Sequence, residues 1–330
     1  MKLRQVSTLN ALTIASVICG INASVVCAQT KKILRCATKD LSSVELSRLD
    51  TGVEAYASWI EQRRNPPTNL PQYTQVFFTS TNSYNARTAK NTVPTINVAV
   101  HVITKGSKLS EGNVTDGAID SQIKILNQSY KGVASFRKKS VDRTNNAAWF
   151  AMRQDSLDEQ MAKESLKDDS PTILNLYTAN PPAERSGQPL GWATFPSSLI
   201  KDAKPKMDGV VILYTTLPGG GEPNFDLGYT AVHEVGHWLG LLHTFQGECS
   251  DYNDRINDTP AETAKPPGCP PDDTDTCPKL PGKDPIHNFM NYSYDICLNQ
   301  FSSEQQRQMG FIFNIYRLSP TQIPKSLKKP

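Results

Sequence analysis

The chain has 330 residues, 38% of them apolar and 20% charged, which allows one large domain with an attached segment and excludes a protein too small to bury a core. The formal net charge is only +3, and part of it sits near the ends in Lys31, Lys32, Lys325, Lys328 and Lys329. That balance argues against a nucleic-acid partner held through phosphate contacts.

Lys2 and Arg4 form a positive start, Leu9 to Val26 is mostly apolar, and Val26-Cys27-Ala28 reads as a small-residue cleavage site. Residues 1–28 are therefore expected to be a signal peptide. Asn10, Thr13, Asn22 and Ser24 interrupt the apolar run, and no later segment is long and apolar enough to cross a membrane. The expectation is a secreted protein, extracellular and without membrane attachment once the signal is removed.

Residues 29–90 differ in character from the rest of the chain. Leu46, Leu49, Val53, Tyr56 and Ile60 step by three and four, predicting a helix within Leu41 to Gln62. Arg63-Arg64, Asn65-Pro66-Pro67 and a polar stretch to Lys90 come next. A helix, a dibasic site and a proline-bearing linker point to a removable pro-segment; an extension that stays attached is the alternative. Residues 91–330 form the expected main domain, divided near residue 243.

Within it, Ile96 to Ile103 is apolar enough for a strand in a sheet interior, and Ile119, Ile123, Leu126 and Tyr130 mark one face of a helix. Further strands are expected at Val133 to Arg137, Thr172 to Tyr177 and Gly209 to Thr215, while Ser156 to Asp168 reads equally as an exposed helix or a loop. The alternation is that of an α/β fold. Residues 246 to 288 are rich in Pro, Gly, Asp and Cys, so disulfides must supply much of the order there. A last helix is expected from Ser302, with Gln305 placed for a capping box and Met309, Ile312, Phe313 and Tyr316 on one face.

The stretch Thr230 to His243 carries the chemistry. His233 and His237 lie four residues apart, so on a helix their imidazoles project from one face and can share a metal. Glu234 is one step round, within reach of a metal-bound water. Gly240 falls where the helix must stop, and its turn returns His243 as a third ligand. Three protein ligands leave a fourth position open, the arrangement of a catalytic zinc. Two other histidines, His101 and His287, lack metal spacing and read as structural.

Of seven cysteines, Cys19 and Cys27 leave with the signal, and Cys36 stands alone. Cys249, Cys269, Cys277 and Cys297 cluster and permit two bridges in three pairings. Four Asn-x-Ser/Thr patterns begin at Asn113, Asn127, Asn257 and Asn291, the last unsuited to glycosylation because of its surroundings.

The extended pattern HExxHxxGxxH is that of the metzincins. With Leu217-Pro218-Gly219-Gly220-Gly221 before it, and His243 to Gly247, Asp258 to Glu262 and Asn288 to Tyr292 after it, the chain resembles the pappalysin family. The resemblance covers roughly residues 95 to 316, and is strongest to short secreted members such as ulilysin and the fungal extracellular metalloproteases. It implies a metzincin fold: a twisted mixed sheet with two long helices, then an irregular disulfide-bonded subdomain ending in a helix. It implies a zinc metalloendopeptidase acting on proteins or peptides, with Glu234 as general base. It also implies Met290 in a turn beneath the zinc, Tyr292 as a hydrogen-bond donor near the metal, and bridges Cys249–Cys277 and Cys269–Cys297. Asp295 is then expected in the pocket just after the scissile bond, favouring Arg or Lys there. Cys36 is expected as a fourth zinc ligand in a latent zymogen, and Asp254, Asp258 and Thr259 in a calcium-binding loop. A catalytically inactive binding protein of the same fold is the alternative.

Overall fold

The computed structural model describes residues 32–43, 45–47, 93–197, 205–250, 253–264 and 267–318. The expected signal peptide, most of the expected helix within 41–62 and the dibasic site lie outside the described residues.

Strands β2 (Thr95–Thr104), β3 (Ser135–Asn145), β4 (Ile173–Ala179), β6 (Gly191–Ala193) and β7 (Val210–Leu213) form a five-stranded sheet in the order β3-β2-β4-β7-β6. The first four strands in that order are parallel, and β6 closes the edge antiparallel to β7, with Trp192 opposite Val211. The strand β2 is apolar without alternation because both of its faces are covered. Ile96, Val98, Val100 and Val102 join one core layer, and Ile103 joins a second with Phe150, Tyr177, Trp192 and Val211.

The first layer is closed by helix α1 (Asp116–Ser129), capped by Thr115, and by the histidine-bearing helix α4 (Tyr229–Trp238). The second is covered by α2 (Ala147–Phe150) and α3 (Leu157–Leu166). The stretch from Ser156, readable in sequence as helix or loop, is thus a helix with Ser156 as its cap. Its periodicity is obscured because Glu159 and Lys163 are buried as an ion pair at 2.8 Å while Leu157 and Met161 face outward.

After residue 243 the chain is mostly turns. Cys249–Cys277 and Cys269–Cys297 are bridged, each pair separated by 28 residues; closing loops of that length stabilises by about 3–4 kcal/mol each in the chain-entropy account. The final helix α5 (Ser303–Ile312) has the expected capping box between Ser302 and Gln305, and continues as a π-helical turn, Phe313–Leu318. From that turn Arg317 reaches back, stacking 3.4 Å from the Trp238 ring centroid and pairing with buried Asp208. It also donates to the Trp238 carbonyl at the end of α4.

Several short elements are unforeseen, α2 and β6 among them. Strand β1 (Ile33–Leu34) pairs in parallel with β5 (Gln188–Pro189), laying the N-terminal segment beside the β6 edge.

Candidate metal centre

Every residue of α4 from Thr230 to Trp238 is buried, so the helix is held from all sides. Tyr130, just past the end of α1, donates to the Val232 carbonyl at 2.7 Å, and Gln122 donates to the Gly228 carbonyl at 2.9 Å. Gly236 is required by close approach: a Cβ there would sit 2.4 Å from the Met290 sulfur. Gly240 ends the helix at φ 89°, in the left-handed region that side chains avoid.

These constraints aim the histidines. The Leu241 carbonyl, delivered by the Gly240 turn, accepts from His237 Nδ1 at 2.7 Å, and the Phe289 carbonyl, beside Met290, accepts from His233 Nδ1 at 2.7 Å. A carbonyl can only accept, so both Nδ1 atoms carry the proton. Burial first, then the neighbouring imidazoles, lowers the pKa of His233 and His237 well below the ordinary value; burial also lowers that of His243. Neutral rings protonated at Nδ1 present bare Nε2 lone pairs. His237 Nε2 lies 3.2 Å from His233 Nε2 and 3.0 Å from His243 Nε2. Nitrogens bound tetrahedrally at 2.0–2.1 Å to zinc stand roughly 3.3 Å apart, so the donor set fits that ion.

The N-terminal segment completes the cluster. Cys36 is buried, and the four donor atoms of Cys36, His233, His237 and His243 lie within 4.8 Å of one another. Burial and the Glu234 carboxylate push the free thiol up; a dication reverses that tendency. Glu234 Oε2 accepts from the Thr38 hydroxyl at 2.8 Å, whereas buried Oε1 has no partner. Burial raises the Glu234 pKa to about 7, against the lowering effect of hydrogen bonds from Cys36 and Thr38. Tyr292 Oη is 3.4 Å from His243 Nε2, and Phe245 stacks on His243 with centroids 4.9 Å apart.

The family model for M43 peptidases, described as pregnancy-associated plasma protein-A, matches residues 155–313. An extracellular metalloprotease of Neurospora crassa is 41% identical over 232 residues, 70% of this chain and 78% of that protein. One of Sordaria macrospora is 40% identical over 243 residues, 73% of this chain and 80% of that protein. The chain belongs to the M43, or pappalysin, family of metalloproteases. Among solved structures, mature mirolysin of Tannerella forsythia in complex with a cleaved peptide is similar, with TM-score 0.58 and 27% identity. That match covers 72% of this chain and 99% of mirolysin. Promirolysin has the same fold, with TM-score 0.60 at 24% identity over 89% of this chain. This pappalysin is therefore a zinc metalloprotease whose curated relatives are extracellular, and proteins or peptides are its substrates.

Beside the histidines, Asp295 is fully buried. Its Oδ1 is 2.6 Å from Arg35 Nη1, and its Oδ2 accepts from the Leu227 amide at 3.0 Å. The Arg35 guanidinium also lies 5.0 Å from the Phe225 ring centroid. Sequence reasoning missed Arg35, Thr38, Phe225 and Phe245; in the string Leu34-Arg35-Cys36 the cysteine alone carried a signal.

The residues expected in a calcium loop do not all face one point. Asp258 accepts from Ser302 Oγ and the Glu304 amide, capping α5. Asp254 Oδ1 accepts from Thr259 Oγ1 at 2.6 Å and from the Ile256 amide, while its buried Oδ2 has no partner. His101 and His287 are held by Asp142 and Asn175, and by the Cys297 carbonyl and Asp272. The side chain of Asn127 is engaged with the Phe136 backbone, and that of Asn291 with Glu262; Asn257 is exposed.

Burial raises the Asp254 carboxyl from 3.8 to about 7, with Glu262 adding to it and hydrogen bonds opposing. A raised folded-state pKa contributes stability that is complete below the unfolded value and lost as pH rises through the folded one. In chelator-treated protein, the Asp254 contribution is therefore expected to fall between about pH 4 and pH 7. Asp254→Asn is expected to flatten that part of the thermal-stability profile; an unchanged slope would refute this assignment.

Proposed function

We propose that the protein is a secreted endopeptidase made as a zymogen, with residues 1–28 as signal, 29–90 as pro-segment and 91–330 as catalytic domain. The observation that carries this reading is a run of adjacent contacts: Arg35 is paired with buried Asp295, and Cys36 stands among the three imidazoles. One segment thus fills a side-chain pocket and covers the metal position at once. The likeness in fold to promirolysin over 89% of this chain, against 72% for mature mirolysin, supports an N-terminal pro-segment.

His233, His237 and His243 would hold the zinc, with Met290 packed beneath and Cys36 filling the fourth position in the latent form. When bound, zinc polarises the scissile carbonyl and lowers the pKa of a coordinated water towards about 7. Glu234 takes the proton of the attacking water and passes one to the leaving amine. Tyr292, whose phenol is pushed up by burial, stays neutral and donates to the developing oxyanion. Asp295 selects Arg, then Lys, for the residue just after the bond cut, since a buried carboxylate needs a cationic partner. Calcium at Asp254, with Asp258 and Thr259 in the same loop, is supported by the unpartnered Oδ2. An inactive binding protein of this fold is disfavoured, because Glu234 and all three histidines are present.

In the mature protein, Glu234→Ala is expected to lower casein hydrolysis by about 10^2- to 10^4-fold, and a zinc chelator to abolish it reversibly. Undiminished hydrolysis in either case would end the reading. A peptide library should show Arg enriched just after the cut, with Asp295→Asn reducing that preference roughly tenfold or more. Dominance of apolar residues there in the wild type would contradict the pocket assignment.

A further inference from the structure

Thr38 makes three hydrogen bonds in this site through its main-chain N–H and its hydroxyl. Its hydroxyl donates to Glu234 Oε2 at 2.8 Å and accepts from the Ala193 amide at 2.8 Å. Its own N–H points at Cys36 Sγ, 3.2 Å away. One residue therefore touches both the carboxylate and the sulfur. The neighbouring Ala37 amide donates to the Gly191 carbonyl at 2.9 Å, so the segment lies along the free edge of β6. Thr38 is itself buried.

We propose that Glu234 Oε2 and the Ala193 amide form a subsite for an aliphatic hydroxyl, filled in the precursor by Thr38, which fastens the segment independently of Cys36. The ligand class is a peptide with a β-hydroxy residue two places after the blocking thiol, Cys-x-Thr or Cys-x-Ser. The subsite has an acceptor and a donor side, so one hydroxyl satisfies both and a methyl group satisfies neither. Because Glu234 Oε1 is already unpartnered, losing the Thr38 contact strips the buried carboxylate of its remaining hydroxyl donor. A hydrogen bond to a charged group is the stronger kind. The inference rests on the reading of residues 29–90 as a pro-segment, but it makes a separate claim about which residues fasten it.

The test uses the full-length, zinc-loaded precursor and reads the rate at which iodoacetamide alkylates Cys36, followed by the mass of the Cys36 peptide. Among the described residues the other cysteines are in disulfides. Thr38→Val, which keeps the shape, is expected to speed alkylation about tenfold or more, and Thr38→Ser to react close to the wild-type rate. With Glu234→Ala already present, Thr38→Val should add less, because only the Ala193 contact is left to lose. A wild-type rate for Thr38→Val, or equal acceleration with and without Glu234, overturns the subsite.

Latency of a Cys36→Ala precursor towards casein separates the two claims. Activity in Cys36→Ala together with unchanged alkylation in Thr38→Val overturns the subsite and leaves the thiol latch standing. Latency in Cys36→Ala that Thr38→Val then relieves supports the subsite and ends the latch.

Discussion

Three bare nitrogen lone pairs facing one another inside a protein repel unless a cation stands between them. His233 and His237, each donating from Nδ1 to a carbonyl, meet His243 with Nε2 atoms 3.0–3.2 Å apart around His237, and burial lowers the pKa of all three rings. Much of the surrounding architecture keeps this arrangement in place. The turn at Gly240 supplies the carbonyl that orients His237, and the chain beside Met290 supplies the one that orients His233. Fixing the outer ring nitrogen selects the tautomer and aims the inner one. The C-terminal π-turn contributes from a distance, since Arg317 binds the last carbonyl of the histidine helix while pairing with Asp208.

The second organising feature is an edge. A three-residue strand, β6, leaves its outer backbone groups unpaired within the sheet, and such an edge pairs readily with an extended peptide. Residues 35 to 38 take that position. Arg35 meets Asp295, Cys36 joins the imidazoles, Ala37 bonds Gly191, and Thr38 bridges Ala193 and Glu234. Each contact uses a different group of the cleft. The paired Arg35 and Asp295 are both buried, so removing either leaves an uncompensated charge.

What was legible in the sequence was what is local. The spacing of His233, Glu234, His237, Gly240 and His243 encodes its own geometry, because a helix and one glycine turn determine it. Strand β7 is a continuous apolar run and β2 and β4 are largely apolar, and the Ser302 capping box marks the last helix. Strand β6 was not legible, since three residues carry no periodicity. Helix α3 was ambiguous because its Glu159–Lys163 pair is inside and its Leu157 is outside. The disulfide pairing came from family likeness, the cysteine count leaving three choices open. The contacts of Arg35 with Asp295 and of Thr38 with Glu234 join residues 260 and 196 positions apart. No local pattern encodes such pairs.

In the proposed zymogen, latency and catalysis would both turn on one metal position shared by three histidines and one cysteine of the N-terminal segment. X-ray absorption on the zinc-loaded, uncleaved chain reads that position directly. The expected coordination shell is three nitrogens at about 2.0–2.1 Å and one sulfur at about 2.3 Å, with the sulfur lost in Cys36→Ala. A shell of nitrogen and oxygen alone in the wild-type precursor would contradict it.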